Sequence, residues 1–329
     1  MKPASFFSLV FFLISGLCIA FALGYFLFLQ KPLIAGTPHW AVRSIDTMKY
    51  SRDLAREKVE DPSFVAVIDQ QMAAIAATGA THVAIATPYD KEFLPMLKLW
   101  VTSARAHGLH VWFRGNFSGW EQWFGYERIT PQQHTDMTKA FIQDNPDLFV
   151  DGDIFTSCPE CENGDKLQYG DPVQLAQHRN FLLNEYQITK ASFIAIHKDV
   201  KANYYSMNYD VAMAMMDPET TRQFDGTVVI DHYVREPDKL AVDIKKLADK
   251  TGGKVVLGEF GAPIPDINGH MSDGQQKAWL QQALTNLADV PQLEGMNYWV
   301  NTGGTSQLWF QDGTPRPAVS ILSAFFGGK

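Results

Sequence analysis

The sequence predicts a single (β/α)8 barrel, a closed ring of eight parallel strands with a helix after each strand. Strand-like and helix-like segments alternate eight times after residue 39, and this alternation is typical of a parallel α/β fold. The length of 329 residues suits one barrel of about 250 residues with additions. The chain contains neither a glycine-rich dinucleotide motif nor a P-loop motif, which disfavours an open nucleotide-binding sheet.

Residues 1–30 are expected to form a transmembrane signal anchor. The run between Lys2 and Lys31 contains no charged residue and is long enough to cross a bilayer. A cleaved signal peptide is the alternative, because Ala20-Phe21-Ala22 is a small-x-small site, although further apolar residues follow it. With residues 31–39 as a linker, this pattern predicts single-pass attachment to the cell membrane and an extracytoplasmic barrel over residues 40–329.

The first half of the barrel is predicted from caps and from β-branched runs. Thr130-Pro131 and Asp171-Pro172 each place a polar cap before a proline, which suits the first helical turn. Gly108 follows the second helix, where a glycine commonly ends one. Strands are predicted at 40–45, 81–87, 109–114 and 148–156, and helices at 61–79, at 91–107, from 130 onwards and at 171–198.

The second half shows the same signals. Val255, Val256 and Leu257 form an apolar run that ends at Gly258, and such a run is typical of a buried parallel strand. Ser272 and Gln275 have the spacing of a capping box. The other strands are predicted at 202–208, 227–234 and 293–300, with a short helix from 217 and helices at 237–251, 272–288 and 315–326.

The charge balance argues against a nucleic-acid partner. Acidic residues outnumber basic ones by 36 to 28, and no basic stripe interrupts the sequence. No motif implies a cofactor, and we expect a monomer.

Polar residues follow the predicted strands at the point where each strand ends. Because the carboxyl ends of barrel strands share one mouth, we expect these side chains to surround a single site. Two carboxylates, from strands four and seven, lie on opposite sides of such a ring. The candidates are Asp46, Arg114, Glu160 or Glu162, Asn208, His232, Tyr233, Glu259 and Trp299.

Two facing carboxylates are suited to breaking a glycosidic bond. Glu259 is predicted to attack the anomeric carbon, and Glu160 to protonate the leaving oxygen. Tyr233 and Arg114 are expected to orient Glu259 and to stabilise its charge. The indole ring of Trp299 is expected to stack on sugar, together with the loop residues Trp120 and Trp123.

Other interpretations of these residues remain open. Glu162 is the rival acid/base, Arg114 could only bridge strands, and Trp299 could belong to the core. A metal site built from Asp46, His232 and Glu259 is disfavoured because the sequence has no close ligand spacing, so no metal is expected. Cys158 and Cys161 are expected to form a local disulfide in an extracytoplasmic domain, with a redox role as the alternative.

Three short segments resemble the clan A glycoside hydrolases, most closely family 5 endoglucanases and mannanases. Gly258-Glu-Phe-Gly261 is similar to the strand that carries the nucleophile in that family. Asp231-His-Tyr233 resembles the strand-six pattern, although His and Tyr are adjacent here, and Asn297-Tyr-Trp299 resembles the strand whose Trp lines the cleavage site.

The resemblance implies a retaining β-glycosidase that acts on an oligo- or polysaccharide, with Glu259 as nucleophile. Strand four departs from the family, because Pro159-Glu160 stands where Asn-Glu is usual. The chain is therefore expected to be a distant member. A glycan-binding barrel without activity and a metal-dependent barrel hydrolase are the alternatives.

Overall fold

The structure, a computed structural model, describes residues 40–327. The predicted anchor at 1–30 and the linker at 31–39 lie outside the described residues. Among the helices of the described part, none combines the length and the apolar character needed to cross a bilayer.

Eight parallel strands form a barrel, which confirms the predicted (β/α)8 fold. The strand order is β4-β3-β2-β1-β8-β7-β6-β5. The ring closes beside β4, where Ile154 bridges to Lys201 and the Phe155 amide donates to the Lys201 carbonyl at 2.8 Å. The strands are β1 Val42–Asp46, β2 His82–Ile85, β3 His110–Phe113, β4 Ile154–Phe155, β5 Ser206–Asn208, β6 Thr227–Asp231, β7 Lys254–Phe260 and β8 Leu293–Tyr298.

The helices surround the strands, and several begin where their caps predict. Thr130 and Ser272 each form a capping box with the third helical residue, and the Asp171 carboxylate accepts from the Val173 amide at 2.8 Å. The α-helices are α1 Met48–Ser51, α2 Ala55–Lys58, α3 Phe64–Ala77, α4 Leu94–Ala106, α5 Ser118–Glu121, α6 Pro131–Asp144, α7 Cys161–Asp165, α8 Pro172–Ala195, α9 Tyr209–Met215, α10 Pro218–Gln223, α11 Pro237–Thr251, α12 Pro265–Asn268, α13 Asp273–Ala288 and α14 Ala318–Phe326.

Several predicted elements are shorter than the sequence suggests. Only Ile154–Phe155 of the predicted strand at 148–156 is extended, because Pro146–Leu148 forms a 3-10 turn and Gly152 has a φ of 90°. The fifth strand is limited to Ser206–Asn208, and the last helix starts at Ala318.

Side chains inside the barrel lie in two layers. The lower layer is apolar and consists of Val42, Ala84, Trp112, Ile154, Tyr204, Val229 and Val256. Arg114 and Asp231 lie two residues beyond Trp112 and Val229 on their strands, and Asp46 lies four residues beyond Val42. The period of two residues therefore places polar side chains at the carboxyl-end mouth, on top of an apolar plug.

Candidate active site

Arg114 is the centre of the mouth. The side chain, 1% exposed, follows β3 and points into the barrel above the Trp112 ring. Its guanidinium contacts three carboxylates: Asp231 at 2.9 Å, Glu259 at 3.0 Å and Asp46 at 3.4 Å. Burial lowers the pKa of Arg114, but the charges of these three carboxylates outweigh that effect and raise it overall. Arg114 therefore remains a fixed cation that joins β1, β6 and β7.

Glu259 has a defined orientation because each carboxylate oxygen has its own donor. Arg114 donates to Oε1 at 3.0 Å, and the Tyr233 hydroxyl donates to Oε2 at 2.6 Å. Burial, followed by the charge of Glu259, raises the pKa of Tyr233, so the phenol keeps its proton. Both donors stabilise a negative charge on Glu259. The predicted support of Glu259 by these two residues is thus present in the geometry.

An irregularity in β7 turns Glu259 towards the mouth. Ile230 pairs with Leu257, but the next residue, Asp231, pairs with Glu259, so Gly258 is skipped in the register. Strict alternation along β7 would direct Gly258 inwards and Glu259 outwards. The bulge brings Glu259 beside Asp231 instead.

The two glycines of the Gly-Glu-Phe-Gly segment occupy places where a side chain cannot fit. A Cβ on Gly258 would lie 2.4 Å from Asp231 Oδ1, and one on Gly261 would lie 2.4 Å from the Trp299 carbonyl oxygen. The Gly258 carbonyl also accepts from Arg114 at 2.8 Å. These glycines allow the neighbouring groups to approach the Glu259 backbone closely.

Asp46 holds this cluster from the β1 side and is fully buried. Its Oδ2 accepts from Asn297 at 3.1 Å and its Oδ1 accepts from the Met48 amide at 2.6 Å. Burial raises the pKa of Asp46 to about 6, against the opposing charge of Arg114. The prediction that Asp46 binds substrate is wrong for this structure, because the side chain has no exposed surface and its donors are all internal.

Sequence reasoning assigned no role to Asp231 and Asn297, although both were in the quoted motifs. Asp231 accepts from Arg114, and Asn297 donates to the Gly258 carbonyl at 2.9 Å. Burial raises the pKa of Asp231 well above its usual range, while Arg114 opposes that rise. Counting strand residues in steps of two from Val229 and Gly295 would have indicated that both side chains point inwards.

Glu160 lies in the loop between β4 and α7, five residues after the end of β4. Its amide donates to the Ser206 carbonyl at 2.9 Å, and the Ser206 hydroxyl accepts from Arg114 at 3.0 Å. Ser206 therefore links the Glu160 backbone to Arg114, the cation that also donates to Glu259. Burial, followed by the negative charge of Glu259, raises the pKa of Glu160 to about 8. A carboxyl group that stays protonated at neutral pH can act as a general acid.

Glu162, the rival acid, is held differently. It is 6% exposed, and its Oε1 accepts from the amide nitrogen of Asn208 at 2.7 Å and from the Asn208 side chain at 3.1 Å. Burial raises the pKa of Glu162, and the bonds from Asn208 oppose that rise. These bonds fix α7 to the end of β5. The Asn208 side chain is exposed but is already bound to Glu162.

The three predicted tryptophan platforms have different surroundings. Trp299 is partly exposed and lies edge-on to Tyr233, with 6.2 Å between ring centroids. Trp123 is also partly exposed, and Arg52 covers one of its faces at 4.7 Å. Trp120 is only 2% exposed and stacks on Phe181. The expectation that Trp120 stacks on sugar is therefore wrong here, because its ring belongs to the core.

His232 is directed away from the cluster around Arg114. Its Nε2 lies 2.8 Å from Asp243 on α11, and its ring stacks on Tyr209 at 4.3 Å. Its predicted contact with substrate is not supported by this arrangement. Among residues 40–327, no group of three or more His, Cys, Asp or Glu side chains is arranged to hold a metal ion.

Cys158 and Cys161 form a disulfide, as the sequence predicts. The bond joins residues three apart, with their Cα atoms 5.1 Å from each other. Both sulfurs are buried, and the loop that they close contains Glu160.

The comparisons with known proteins agree on the fold. No protein-family model matches the chain, and no curated protein matches it. Among solved structures, a GH5_18 protein from Streptomyces cattleya in complex with GlcNAc superposes with a TM-score of 0.64 at 14% identity, over 87% of this chain and 79% of the other. The β-glycosidase BGL167 superposes with a TM-score of 0.55 at 15% identity, over 88% and 95%.

Longer proteins match over the same region. A β-glucuronidase from Bacteroides uniformis superposes with a TM-score of 0.59 at 10% identity, over 87% of this chain but only 35% of its own. The present chain thus corresponds to about a third of that protein. At these identities the likeness shows a (β/α)8 barrel of the kind that these glycosidases have, and the chemistry must be argued from the site.

Proposed function

We propose that this protein is a retaining glycoside hydrolase that cleaves β-glycosidic bonds in an oligo- or polysaccharide. The observation that carries the proposal is the contrast between its two facing carboxyl groups. Glu259 accepts hydrogen bonds from a cation and a phenol, whereas burial and the charge of Glu259 raise the pKa of Glu160 to about 8. Such a pair has the division of roles that glycosidic cleavage requires.

In the first step, Glu259 attacks the anomeric carbon and the bond to the leaving oxygen breaks. Glu160 donates its proton to that oxygen, so the leaving sugar departs as an alcohol and a glycosyl ester remains on Glu259. Arg114 and Tyr233 hold Glu259 at the attacking angle throughout this step.

In the second step, the ionised Glu160 takes a proton from water while that water attacks the anomeric carbon. The ester bond breaks and Glu259 is released as a carboxylate. Two displacements at one carbon return the original anomeric configuration, so the product should initially be the β-anomer.

Polar and aromatic side chains that could bind further sugar units are present in addition to the two carboxyl groups. Trp299 and Trp123 present partly exposed rings near the mouth. A groove beside Glu162 provides polar groups for the leaving sugar, and it is lined by Asn163, Lys166, Gln168, Tyr169, Asn208 and Asp210. This arrangement supports a carbohydrate partner longer than one sugar unit.

The experiment that tests this function is hydrolysis of a panel of aryl β-glycosides, β-glucans, mannans and xylans, followed by proton NMR of the first product formed. Initial release of the β-anomer supports the proposal, and initial release of the α-anomer contradicts retention. Binding of a glycan without any hydrolysis would favour the glycan-binding alternative. Unchanged activity in the presence of a chelator separates this mechanism from a metal-dependent one.

We also propose that residues 1–30 anchor the chain in the cell membrane with the barrel on the extracytoplasmic side, and that the protein is a monomer. Protease treatment of intact cells should remove the barrel. A barrel that survives this treatment but is digested after lysis would contradict the orientation.

We expect kcat/KM to fall as the pH rises through about 8. Glu160 must carry its proton in the first step, and its raised pKa means that the protonated, active form predominates below about 8 and is lost above it. In Glu160→Gln this basic limb should disappear, with a loss of roughly 10²- to 10⁴-fold on substrates with poor leaving groups. The matched variant Glu162→Gln should retain the basic limb. If the basic limb persists in Glu160→Gln but vanishes in Glu162→Gln, then Glu162 and not Glu160 is the general acid.

We expect Tyr233→Phe to reduce kcat by roughly 10- to 100-fold, because one hydrogen bond to a charged carboxylate is removed. The barrel should remain folded, since within residues 40–327 the phenol bonds only to Glu259. Tyr209→Phe is the matched control, because that hydroxyl has no hydrogen-bond partner in the described part of the chain. Equal rates for Tyr233→Phe and the parent protein would show that the phenol does not support Glu259.

A further inference from the structure

The loop that carries Glu160 is closed on itself by a covalent bond. Glu160 is the third of four residues, Cys158 to Cys161, and the disulfide joins the first to the last. The disulfide thus encloses the proposed acid in a loop of four residues. Any change in the disulfide must therefore change the conformations open to Glu160.

The backbone of Glu160 is in a conformation that its residue type disfavours. Its φ is 44° and its ψ is 47°, which is the left-handed region. In this region the Cβ of an L-residue crowds the following carbonyl oxygen, so glycine is the usual occupant. A strained backbone of this kind persists only where the surroundings hold it in place.

The surroundings hold both ends of the loop. Cys158 and Cys161 are 0% and 1% exposed, and the Asn116 side chain donates to Cys158 Sγ at 3.5 Å. Asn116 Oδ1 lies 2.9 Å from His134 Nε2, and His134 Nδ1 lies 3.0 Å from Glu185 on α8. A buried chain of contacts thus connects the disulfide to the outer helices.

The side chain of Glu160 has little else to fix it. Its carboxylate accepts one bond in the described residues, from the exposed Asn163 at 3.2 Å. Glu259, in contrast, has Arg114 and Tyr233 on separate oxygens. The position of Glu160 therefore depends on its backbone, which the disulfide and the bond from its amide to the Ser206 carbonyl hold in place.

We propose that the Cys158–Cys161 disulfide is a positioning element that holds Glu160 where it can protonate the leaving group. The proposal rests on the proposed function. The disulfide takes the place of the side-chain contacts that Glu160 lacks. Proton donation by Glu160 therefore depends on the oxidised loop, whereas attack by Glu259 does not. The disulfide itself contacts neither substrate nor the reacting atoms.

The test compares two leaving groups on the sugar that the parent protein hydrolyses. A 2,4-dinitrophenyl glycoside departs without a proton, whereas a methyl glycoside or a disaccharide needs the acid. In the full chain, Cys158→Ala/Cys161→Ala should lose at least tenfold in kcat/KM on the poor leaving group and less than twofold on the activated one, because kcat/KM reports the first step, before Glu160 acts as a base. Cys18→Ser, which removes the third cysteine, is the control and should leave both rates unchanged.

The ratio of the two rates is the decisive quantity, because it does not depend on the fraction of protein that is folded. An unchanged ratio overturns the proposal, since a disulfide that only stabilises the barrel would lower both rates together. Combining the alanine pair with Glu160→Gln provides a second criterion. No further change in the ratio is expected there, because the acid to be positioned is already absent.

Two further outcomes are distinguishable. If the alanine pair does not fold, the parent protein is reduced with excess dithiol, which is oxidised to its own disulfide as each cysteine gains a proton and an electron. The same change in the ratio is expected. Loss of the fold in that case too would assign the bond to stability and overturn the proposal. A parent protein that cleaves neither glycoside refutes the proposed hydrolase function instead.

Discussion

Glu259→Gln should abolish glycoside hydrolysis, with a loss of roughly 10⁴-fold or more in kcat, as expected when a covalent nucleophile is removed. The amide cannot form the glycosyl ester, although it nearly preserves the size of the side chain. Hydrolysis of the best substrate in the panel measures the effect. A mechanism-based cyclophellitol aziridine should add its mass to the parent protein at Glu259 and should leave the variant unlabelled.

Glu294→Gln is the matched control for this substitution. Glu294 is also an acid of a barrel strand, but it is the second residue of β8 and pairs with Lys201 at 2.9 Å, at the end of the barrel opposite the mouth. We expect this variant to have the activity of the parent. Near-parental rates in Glu259→Gln would contradict the proposed mechanism. The expected result is that the variant still binds the glycan but does not hydrolyse it.

Arg114→Met should lower the free energy of unfolding by about 3–5 kcal/mol, the usual cost of leaving a buried charge without its partner. The substitution preserves the bulk above Trp112 but leaves Asp46, Asp231 and Glu259 without the cation that they share. Urea denaturation of parent and variant measures the difference. Arg316→Met, which removes a cation that pairs with the exposed Asp273, should cost much less.

The destabilisation of Arg114→Met should shrink as the pH falls towards about 4. Burial already raises the pKa of Asp46 to about 6 and that of Asp231 well above its usual range. Without Arg114 both values rise further, so the folded variant binds protons that the unfolded chain releases, and low pH stabilises it. A loss of stability that is independent of pH would mean that packing, and not charge, is the main role of Arg114.

The barrel was predictable because its local signals agree with one another. Polar caps before prolines at Thr130 and Asp171 mark helix starts, and apolar runs such as the one before Gly258 mark buried strands. The strand-end rule then placed Glu160, Tyr233 and Glu259 at one mouth. The two carboxyl groups of the proposed mechanism thus followed from sequence position together with the topology of the fold.

The sequence does not predict the direction in which each side chain faces, because local signals do not determine that direction. Trp120 lies on the short helix α5, and its ring stacks on Phe181 and lies against Gly164, where a Cβ would be 2.3 Å from the indole. His232 and Asp231 are adjacent, so only one of them can face the barrel interior. The His232 ring faces α11 instead, where its Nε2 lies 2.8 Å from Asp243. Asp46 was placed correctly at the mouth but lies too deep to contact a ligand.

The skipped residue in β7 makes the number of residues in this strand as important as their identity. Val255 and Val256 should accept other aliphatic side chains, since they only fill the interior and the helix-facing side. A deletion of one residue between Lys254 and Gly258 would move Glu259 into the position of Gly258, where a Cβ would lie 2.4 Å from Asp231 Oδ1, so the carboxylate would lose its place beside Arg114 and Tyr233. Insertions and deletions here are consequently a sharper marker of lost chemistry than substitutions, both in natural variants and in engineered ones.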